Sequence, residues 1–443
     1  MRRLVRVLLG FLLRVFFRRV EIDGLFRVPA TGPVLFCPNH PNALVDPVLL
    51  LATAPRPVSF LAKAPLFRMP VIGWFARTLE SIPVYRRQDG SGDTSRNAEM
   101  FAAARRVLEG GGSIAIFPEG TSHSDPGLRP LKTGAARIAL GAGTREPVRI
   151  VPVALIYSAK TTFRSTALVC FGEPIGVPPI THTDGAEPAA EPVQVLTDRI
   201  AEGMRAILLQ ADHTEALAVT GAVERLFLPD EKQPEERHGL AEAAALRRRL
   251  LAAYPEVERR APTRLASLRA RLERHEARLR GAGLDPALLV PRPFTLGGVL
   301  AYTATETLWF AMAAPLALPG LVIHWPTYRL IGALATRYGG RSEDVLATAK
   351  ALGALLLLPL TWAAVGLGIG GWLGWPVGLL AAAVAPVMGY MALRFVERFD
   401  QVAGATRALA LWLGGRERFL RLLVERRRLR EEVVTLAREM GLG

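Results

Sequence analysis

The chain has 443 residues, room for about three structural units at roughly 150 residues each. Lys and Arg number 55 against 40 Asp and Glu, a formal charge of +15, and half of the residues are hydrophobic. This excludes an intrinsically disordered chain, and with Cys37 and Cys170 as the only cysteines it excludes a disulfide scaffold, a zinc ribbon and an iron–sulfur centre.

Residues 1–23 are expected to form a basic amphipathic helix at a membrane interface. The first 20 residues hold six arginines and no acid. At about 100° per residue, Arg2, Arg3, Arg6, Arg14 and Arg18 share one side of a helix, and Leu8, Phe11, Leu12, Val15 and Phe16 populate the rest. The uncharged run from Val7 to Leu13 is too short to span a bilayer, which takes about 20 residues. Arg14 interrupts any signal-peptide core, and no small-residue cleavage site follows. Arginines on lipid phosphates and apolar side chains among the acyl chains fit this pattern. The competing reading packs the same helix on its own domain. Positive charge also suits nucleic acid, but the sequence holds no zinc finger, RNA-recognition signature or basic–aromatic stripe, and its hydrophobicity favours a phospholipid bilayer as partner.

Residues 24–180 read as an α/β domain. Short β-rich runs recur at Val34–Cys37, Val58–Leu61, Ser81–Tyr85, Ile114–Phe117, Arg149–Ile156 and Ala167–Phe171, with helical stretches at Thr94–Leu108 and Leu131–Leu140. The fold class expected is a mixed, mostly parallel sheet flanked by helices. Ligand sites in such sheets lie beyond the strand ends. Residues 181–290, rich in Ala, Leu, Arg and Glu and punctuated by Pro229, Pro234 and Pro255, are expected to be a helical insert without a chemical motif.

Residues 291–393 form a hydrophobic membrane region. Ala351–Leu393 holds no Asp, Glu, Lys or Arg, and Gly366, Gly368, Gly370, Gly371, Gly374 and Pro376 mark a turn between two spans. Arg337 and Arg341 before them, and Arg394 and Arg398 after, put both outer ends in the cytoplasm. Leu296–Pro326 contains Glu306 and is flanked by Arg292 and Arg329, so a re-entrant or in-plane hairpin is expected there. The alternative for these apolar stretches is the core of a soluble bundle. Residues 394–443 are expected to be a charged cytoplasmic helix.

Three short segments carry chemistry. In Cys37–Pro47, a strand ends and a turn through Asn39, Pro41 and Asn42 leads to a helix start at Asp46-Pro47. His40 then sits in a strand–helix connection, where side chains reach a cleft. A carboxylate on one ring nitrogen fixes the tautomer and leaves the other nitrogen a base. Two plainer readings compete: Asp46-Pro47 as a helix cap and His40 as a turn histidine. In Ile114–Asp125, a β run ends in Phe117-Pro118-Glu119-Gly120, a turn able to offer backbone N–H groups and a carboxylate; Leu128–Lys132 then opens a helix. In Ser81–Arg87, Arg86 leaves a strand end and can grip a phosphate with its fork of donors. Cys37 beside His40 also allows an acyl-enzyme thiol.

Taken in order, His40-x5-Asp46, Pro83-Val84-Tyr85-Arg86, Phe117-Pro118-Glu119-Gly120 and Val151-Pro152-Val153 resemble the motifs of the glycerolipid acyltransferase family. That family includes glycerol-3-phosphate acyltransferases and 1-acylglycerol-3-phosphate acyltransferases. The likeness covers roughly residues 24–178. Most family members have four residues between His and Asp, where this chain has five. Its NHPNALVDP and FPEGTSHSDPGLRPLK look more like the subgroup with fungal glycerol-3-phosphate/dihydroxyacetone-phosphate acyltransferases. Ser122 stands where an arginine is common after Glu-Gly-Thr.

The resemblance implies that His40 and Asp46 are the catalytic pair. It implies that Arg86, Phe117, Glu119, Gly120 and Thr121 bind the acceptor, with Lys63 and Lys132 as secondary phosphate contacts. It puts Val151, Pro152 and Val153 on the acyl-donor side. The implied activity moves a fatty acyl group from a thioester, acyl-CoA or acyl-carrier protein, to a hydroxyl of glycerol-3-phosphate or 1-acylglycerol-3-phosphate in phospholipid synthesis. Backbone N–H groups around Glu119–Thr121 stand as oxyanion donors, and no metal or other cofactor is implied. The expected site faces the cytoplasm from the cytoplasmic membrane. Two alternatives stay open: another lipid acceptor, or a non-catalytic membrane protein that binds anionic lipid.

Overall fold

Strand Val34–Pro38 is buried along its whole length, as a central strand covered on both faces must be. It belongs to the computed structural model of the chain, which describes residues 2–85, 97–125, 127–178, 188–208, 214–227, 240–282, 296–338, 343–414 and 416–440. The chain divides into two units. One comprises Met1–Gln210, Gly239–Arg248 and Arg341–Thr348; the other comprises Ala211–His238, Arg249–Gly340 and Ala349–Gly443.

The first unit runs α1 (Arg2–Phe16), β1 (Arg19–Asp23), β2 (Val34–Pro38), α2 (Val45–Thr53), β3 (Ser59–Lys63), α3 (Pro70–Thr78), β4 (Ile82–Val84), α4 (Asn97–Glu109), β5 (Ser113–Ala115), α5 (Gly134–Leu140), β6 (Val148–Tyr157), β7 (Thr166–Phe171), β8 (Ile175–Val177) and α6 (Ala190–Ile207). The sheet order is β1-β7-β6-β2-β5-β3-β4, with β8 on β6. Pairs β1–β7, β6–β2, β2–β5, β5–β3 and β3–β4 are parallel, whereas β6 meets β7 and β8 antiparallel. This is the mixed, mostly parallel α/β sheet that the strand–helix alternation predicts.

Side-chain alternation sorts the core into two layers. Leu35, Cys37, Ile150, Leu168 and Cys170 point to a layer closed by α4, α5 and α6. Val34, Phe36, Val151, Val153, Val169 and Phe171 point to the other layer, closed by α1 and α2.

Three observations bear on the expected domains. Val5, Leu9 and Leu13 of α1, and Phe17 just after it, are buried in the α2-side core, so one stripe of the helix serves the domain's own interior; of the residues expected at a membrane surface, Leu12 and Phe16 are partly buried against the same core. The sheet also starts before residue 24: Arg19–Asp23 pairs in register with Thr166–Cys170. Similarly, α6 lies in the first unit and packs on the sheet, so the separate helical unit starts later than residue 181.

The second unit holds α7 (Thr214–Phe227), most of α8 (Leu240–Arg260), α9 (Pro262–Gly281), α10 (Leu296–Tyr338), most of α11 (Glu343–Leu373), α12 (Trp375–Gly414) and α13 (Arg416–Glu439). Val219 and Val223 of α7, Leu265, Leu268 and Leu272 of α9, and Leu429 and Leu436 of α13 share one core. Along the α9–α13 seam, Arg264, Arg271 and Arg278 meet Glu439, Glu432 and Glu425. Each partner is seven residues from the next and the two series run in opposite directions, the signature of an antiparallel coiled coil. The terminal charged helix is therefore part of the same bundle as the insert, and the division expected at residue 394 falls inside α12.

Leu296–Tyr338 is one helix of 43 residues, not the hairpin expected for Leu296–Pro326. Pro315, Pro319 and Pro326 lie within it. Proline is tolerated in apolar helices when neighbours re-satisfy the backbone. Helix α10 packs antiparallel on α12, with Glu306 on Arg398, Phe310 on Phe395, and Gly320 against the Met388 backbone. Three helical segments, Leu300–Arg337, Thr348–Leu373 and Trp375–Asp400, are long and apolar enough to cross a membrane. Their apolar side chains, Leu360, Leu367, Leu379 and Leu380 among them, are largely exposed, as lipid-facing residues are.

Candidate active site

The parallel strands β2, β5, β3 and β4 lie side by side, and the segments that follow β2 and β5 build most of the site. After β2, Asn39 is stitched to β6: its Oδ1 accepts from the Leu155 N–H (2.7 Å) and its Nδ2 donates to the Leu155 carbonyl (3.2 Å). The chain then turns through Ala43, at φ +39°, into α2. Asp46 does not cap that helix; Leu44 holds the cap position and makes no side-chain cap bond. Instead the Asp46 carboxylate folds back over the turn.

His40 Nδ1 lies 2.8 Å from Asp46 Oδ2. The Asn42 N–H donates to the same oxygen (2.6 Å), and the Tyr157 hydroxyl donates to Oδ1 (2.6 Å). Asp46 is wholly buried, while the His40 side chain keeps 16% exposure. An ionised carboxylate only accepts, so Nδ1 carries its proton toward Asp46 and Nε2 is left with a lone pair. Burial, and then the neighbouring carboxylate, push the Tyr157 hydroxyl well above the usual phenol range. It therefore stays a donor.

The turn after β5 grips His40 from the other side. The Phe117 ring stacks on the imidazole at 4.0 Å between centroids. Glu119 Oε1 accepts from the His40 N–H (3.0 Å), and the His123 N–H donates to the His40 carbonyl (3.0 Å). Glu119 Oε2 accepts from the Arg129 N–H (3.0 Å) and also meets His123 Nε2. Glu119, expected to face the acceptor, is thus turned inward, because three groups of this chain take up its carboxylate. The Gly120 N–H donates to the Phe117 carbonyl (3.0 Å), which removes it from the expected oxyanion donors. Gly120 has φ +75°, and a Cβ there would lie 2.7–2.8 Å from the end of the Lys132 side chain. Lys132 therefore lies across the turn, held by its own N–H on the Pro118 carbonyl (2.8 Å). Thr121, next in the turn, is partly exposed. Beyond it, the guanidinium of Arg129 hydrogen-bonds Asp125 and holds that carboxyl below the usual carboxylate range.

Lys63 closes β3, opposite Val84 of β4, at the same edge of the sheet. Arg86 lies outside the described residues. Val151, Pro152 and Val153 do not line an acyl-donor surface. They pair with Phe36, Cys37 and Pro38 in the middle of the sheet, and all three are buried. Cys37 is likewise buried, and desolvation pushes its thiol far above the usual range, which removes the acyl-enzyme reading.

Sequence reasoning missed Tyr157, the Asn42 N–H, Asn39 and His123. Tyr157 closes an apolar strand and reads as core. His123 carries a weak signal, four residues after Glu119.

Residues 19–156 match the Acyltransferase family. Glycerol-3-phosphate O-acyltransferase 1 of Saccharomyces cerevisiae is 25% identical over 446 aligned positions, covering 78% of this chain; the chain spans 58% of that relative's length. The chloroplastic 1-acyl-sn-glycerol-3-phosphate acyltransferase of Brassica napus is 30% identical over 145 positions, covering 32% of this chain and 39% of its own. Among solved structures, the 1-acyl-sn-glycerophosphate acyltransferase of Thermotoga maritima aligns with 46% of this chain and 80% of that one, at 19% identity and a TM-score of 0.35. A strand-end histidine oriented by a buried aspartate thus lies within the segment, residues 19–156, that matches the Acyltransferase family.

Proposed function

We propose that this protein moves a fatty acyl group from an acyl thioester to a hydroxyl of glycerol-3-phosphate or 1-acylglycerol-3-phosphate. The observation that carries this reading is the 2.8 Å contact of His40 Nδ1 with a wholly buried Asp46, beside an imidazole that remains partly open. His40 Nε2 takes the hydroxyl proton as the acceptor oxygen attacks the thioester carbon. The carbon–sulfur bond then breaks, and the leaving thiolate receives the proton from the imidazolium. Asp46 stabilises the imidazolium between the two transfers. The thioester is already activated and thiolate is a good leaving group.

Phe117 sets the plane of the imidazole, and Glu119 holds the His40 backbone. Lys63, Lys132 and Arg86 supply positive charge for the acceptor phosphate, with Gly120 and Thr121 shaping the turn beneath it. Holding the hydroxyl against Nε2 in this way accounts for several kcal/mol of barrier, on the order of 7 or more for ideal placement. The apolar helices hold the enzyme in a membrane with its site toward the cytoplasm, where soluble thioesters are delivered. The donor is acyl-CoA or acyl-carrier protein.

The test is purified protein in detergent with labelled acyl-CoA or acyl-carrier protein. Glycerol-3-phosphate, dihydroxyacetone phosphate, 1-acylglycerol-3-phosphate and lysophosphatidylcholine are offered separately. Transfer to a glycerol phosphate is expected. Asp46→Asn, which keeps the shape but allows the wrong tautomer, is expected to lower kcat about 10³–10⁴-fold. No turnover with any pairing overturns the reading and favours an anionic-lipid-binding protein.

A further inference from the structure

Tyr157 lies one residue beyond the segment that matches the family, at the end of β6. We infer that Tyr157 is a positioning residue of the acyl-transfer site, whose hydroxyl sets the pH range in which the His40–Asp46 pair is free to accept a proton. This rests on the reading of His40 as the base.

The argument starts from burial. A carboxylate removed from water must replace its lost hydration with donors or become neutral. Asp46 is wholly buried and has three: His40 Nδ1, the Asn42 N–H and the Tyr157 hydroxyl. The first two converge on Oδ2, and Tyr157 serves Oδ1 at 2.6 Å. The phenol is fixed in turn, because its ring stacks on Phe17 at 5.7 Å between centroids. Phe17 is itself buried in the α2-side core.

Other charged residues lie around the pair. From the β5–α5 connection, Glu119 is taken up by the His40 N–H, the Arg129 N–H and His123, and Lys132 lies over Gly120. From the β6–β7 turn, Lys160 offers its carbonyl to Asn42 Nδ2. Tyr157 is the side chain that hydrogen-bonds the Asp46 carboxylate from outside the His40 turn.

The sign follows from charge. Without the extra proton the pair is neutral imidazole plus carboxylate, with one negative charge. With it, the pair is neutral overall, wherever the proton resides. The Tyr157 hydroxyl favours the charged form and so lowers the pair's apparent pKa. Losing that hydroxyl raises the apparent pKa, and activity disappears at higher pH as the solution is acidified.

Tyr157→Phe keeps the ring and its stack. The acid limb of kcat/KM is expected to rise by about one pH unit, which is about tenfold in rate on that limb, or about 1.4 kcal/mol. The plateau at higher pH changes less than the limb. In parallel, ¹³C-histidine NMR in detergent follows the His40 ring, assigned by its loss in His40→Gln. Its midpoint is expected to rise by the same amount. That titration needs no turnover, so it decides the role of Tyr157 even if no acceptor is acylated, and the two readings fail separately. Site-specific 3,5-difluorotyrosine at 157 preserves the shape and strengthens the donor; it is expected to lower the midpoint. A His40 midpoint and acid limb unmoved in both variants assign Tyr157 to packing alone and overturn the inference.

Discussion

The Glu119 carboxylate has no open surface to offer a ligand: its side chain is 1% exposed and its oxygens accept from two backbone N–H groups and face His123. A buried carboxylate without such donors is costly, so the arrangement is a structural clamp on His40. Glu119→Gln tests this. The amide nitrogen must face a group that itself donates, and His40 loses part of its support. The expected outcome is a fall in kcat of about 10- to 100-fold, while the KM for the acceptor stays within about threefold. A rise in that KM with kcat preserved would mean that Glu119 touches substrate. His40 and Asp46 differ from Glu119 in being legible from spacing. Five residues let the chain turn once and return, so an acid near the histidine was foreseeable from the sequence. That the acid ignores the helix cap was not, because capping and folding back use the same residues.

Helices α10 and α12 approach each other closely at Gly320. A Cβ on Gly320 would lie 2.1 Å from the Met388 carbonyl oxygen, which a side chain cannot tolerate. Gly332, farther along α10, has nothing within 4 Å of where its Cβ would stand. Gly320→Leu is therefore expected to force the helices apart and cost about 1–3 kcal/mol. Gly332→Leu should stay within about 0.5 kcal/mol. Thermal unfolding in detergent micelles measures both, and equal effects would contradict this packing. The register is also set by polar pairs: Arg398 is bidentate on Glu306, at 2.7 and 2.8 Å. Trp362 Nε1 donates to His324 Nε2 (2.9 Å), tying α11 to α10. Such pairs satisfy groups that lipid cannot.

At the scale of the molecule, an α/β domain with a cluster of functional strand ends is joined in one chain to helices suited to a bilayer. The proposed substrate pair, a soluble thioester and an acceptor whose product is destined for the membrane, suits that combination. The protein is expected to stay in the membrane pellet through high salt and alkaline carbonate, as an integral rather than a peripheral protein does. Release by salt alone would mean that the arginine-rich surface, not the apolar helices, holds it. The α9–α13 seam adds little to this on its own, since each exposed ion pair contributes only about 0–1 kcal/mol. The leucines beneath it carry the bundle.

Composition and periodicity alone determined the class of this protein. Alternating strands and helices, charge-free runs long enough to cross a bilayer, and a His-x5-Asp turn at a strand end all depend on neighbours in sequence. Period and spacing are written there, and β2, β3, β4, β5, β6 and β7 form where the β-rich runs stand. Partners are not written there. An apolar stripe specifies that one face must be covered, not by what; only the packing of Val5, Leu9, Leu13 and Phe17 shows that one stripe of this segment is covered by the α2-side core. Arg19–Asp23 becomes a strand because Thr166–Cys170, far along the chain, supplies its hydrogen bonds. Val151–Val153 lies in the core because β2 and β7 enclose β6. Tyr157 meets Asp46 across 111 residues, a contact created only when β6 is laid beside β2. Long-range pairing decides which buried polar groups find each other, and that is what brings Tyr157 and Glu119 to His40 and Asp46.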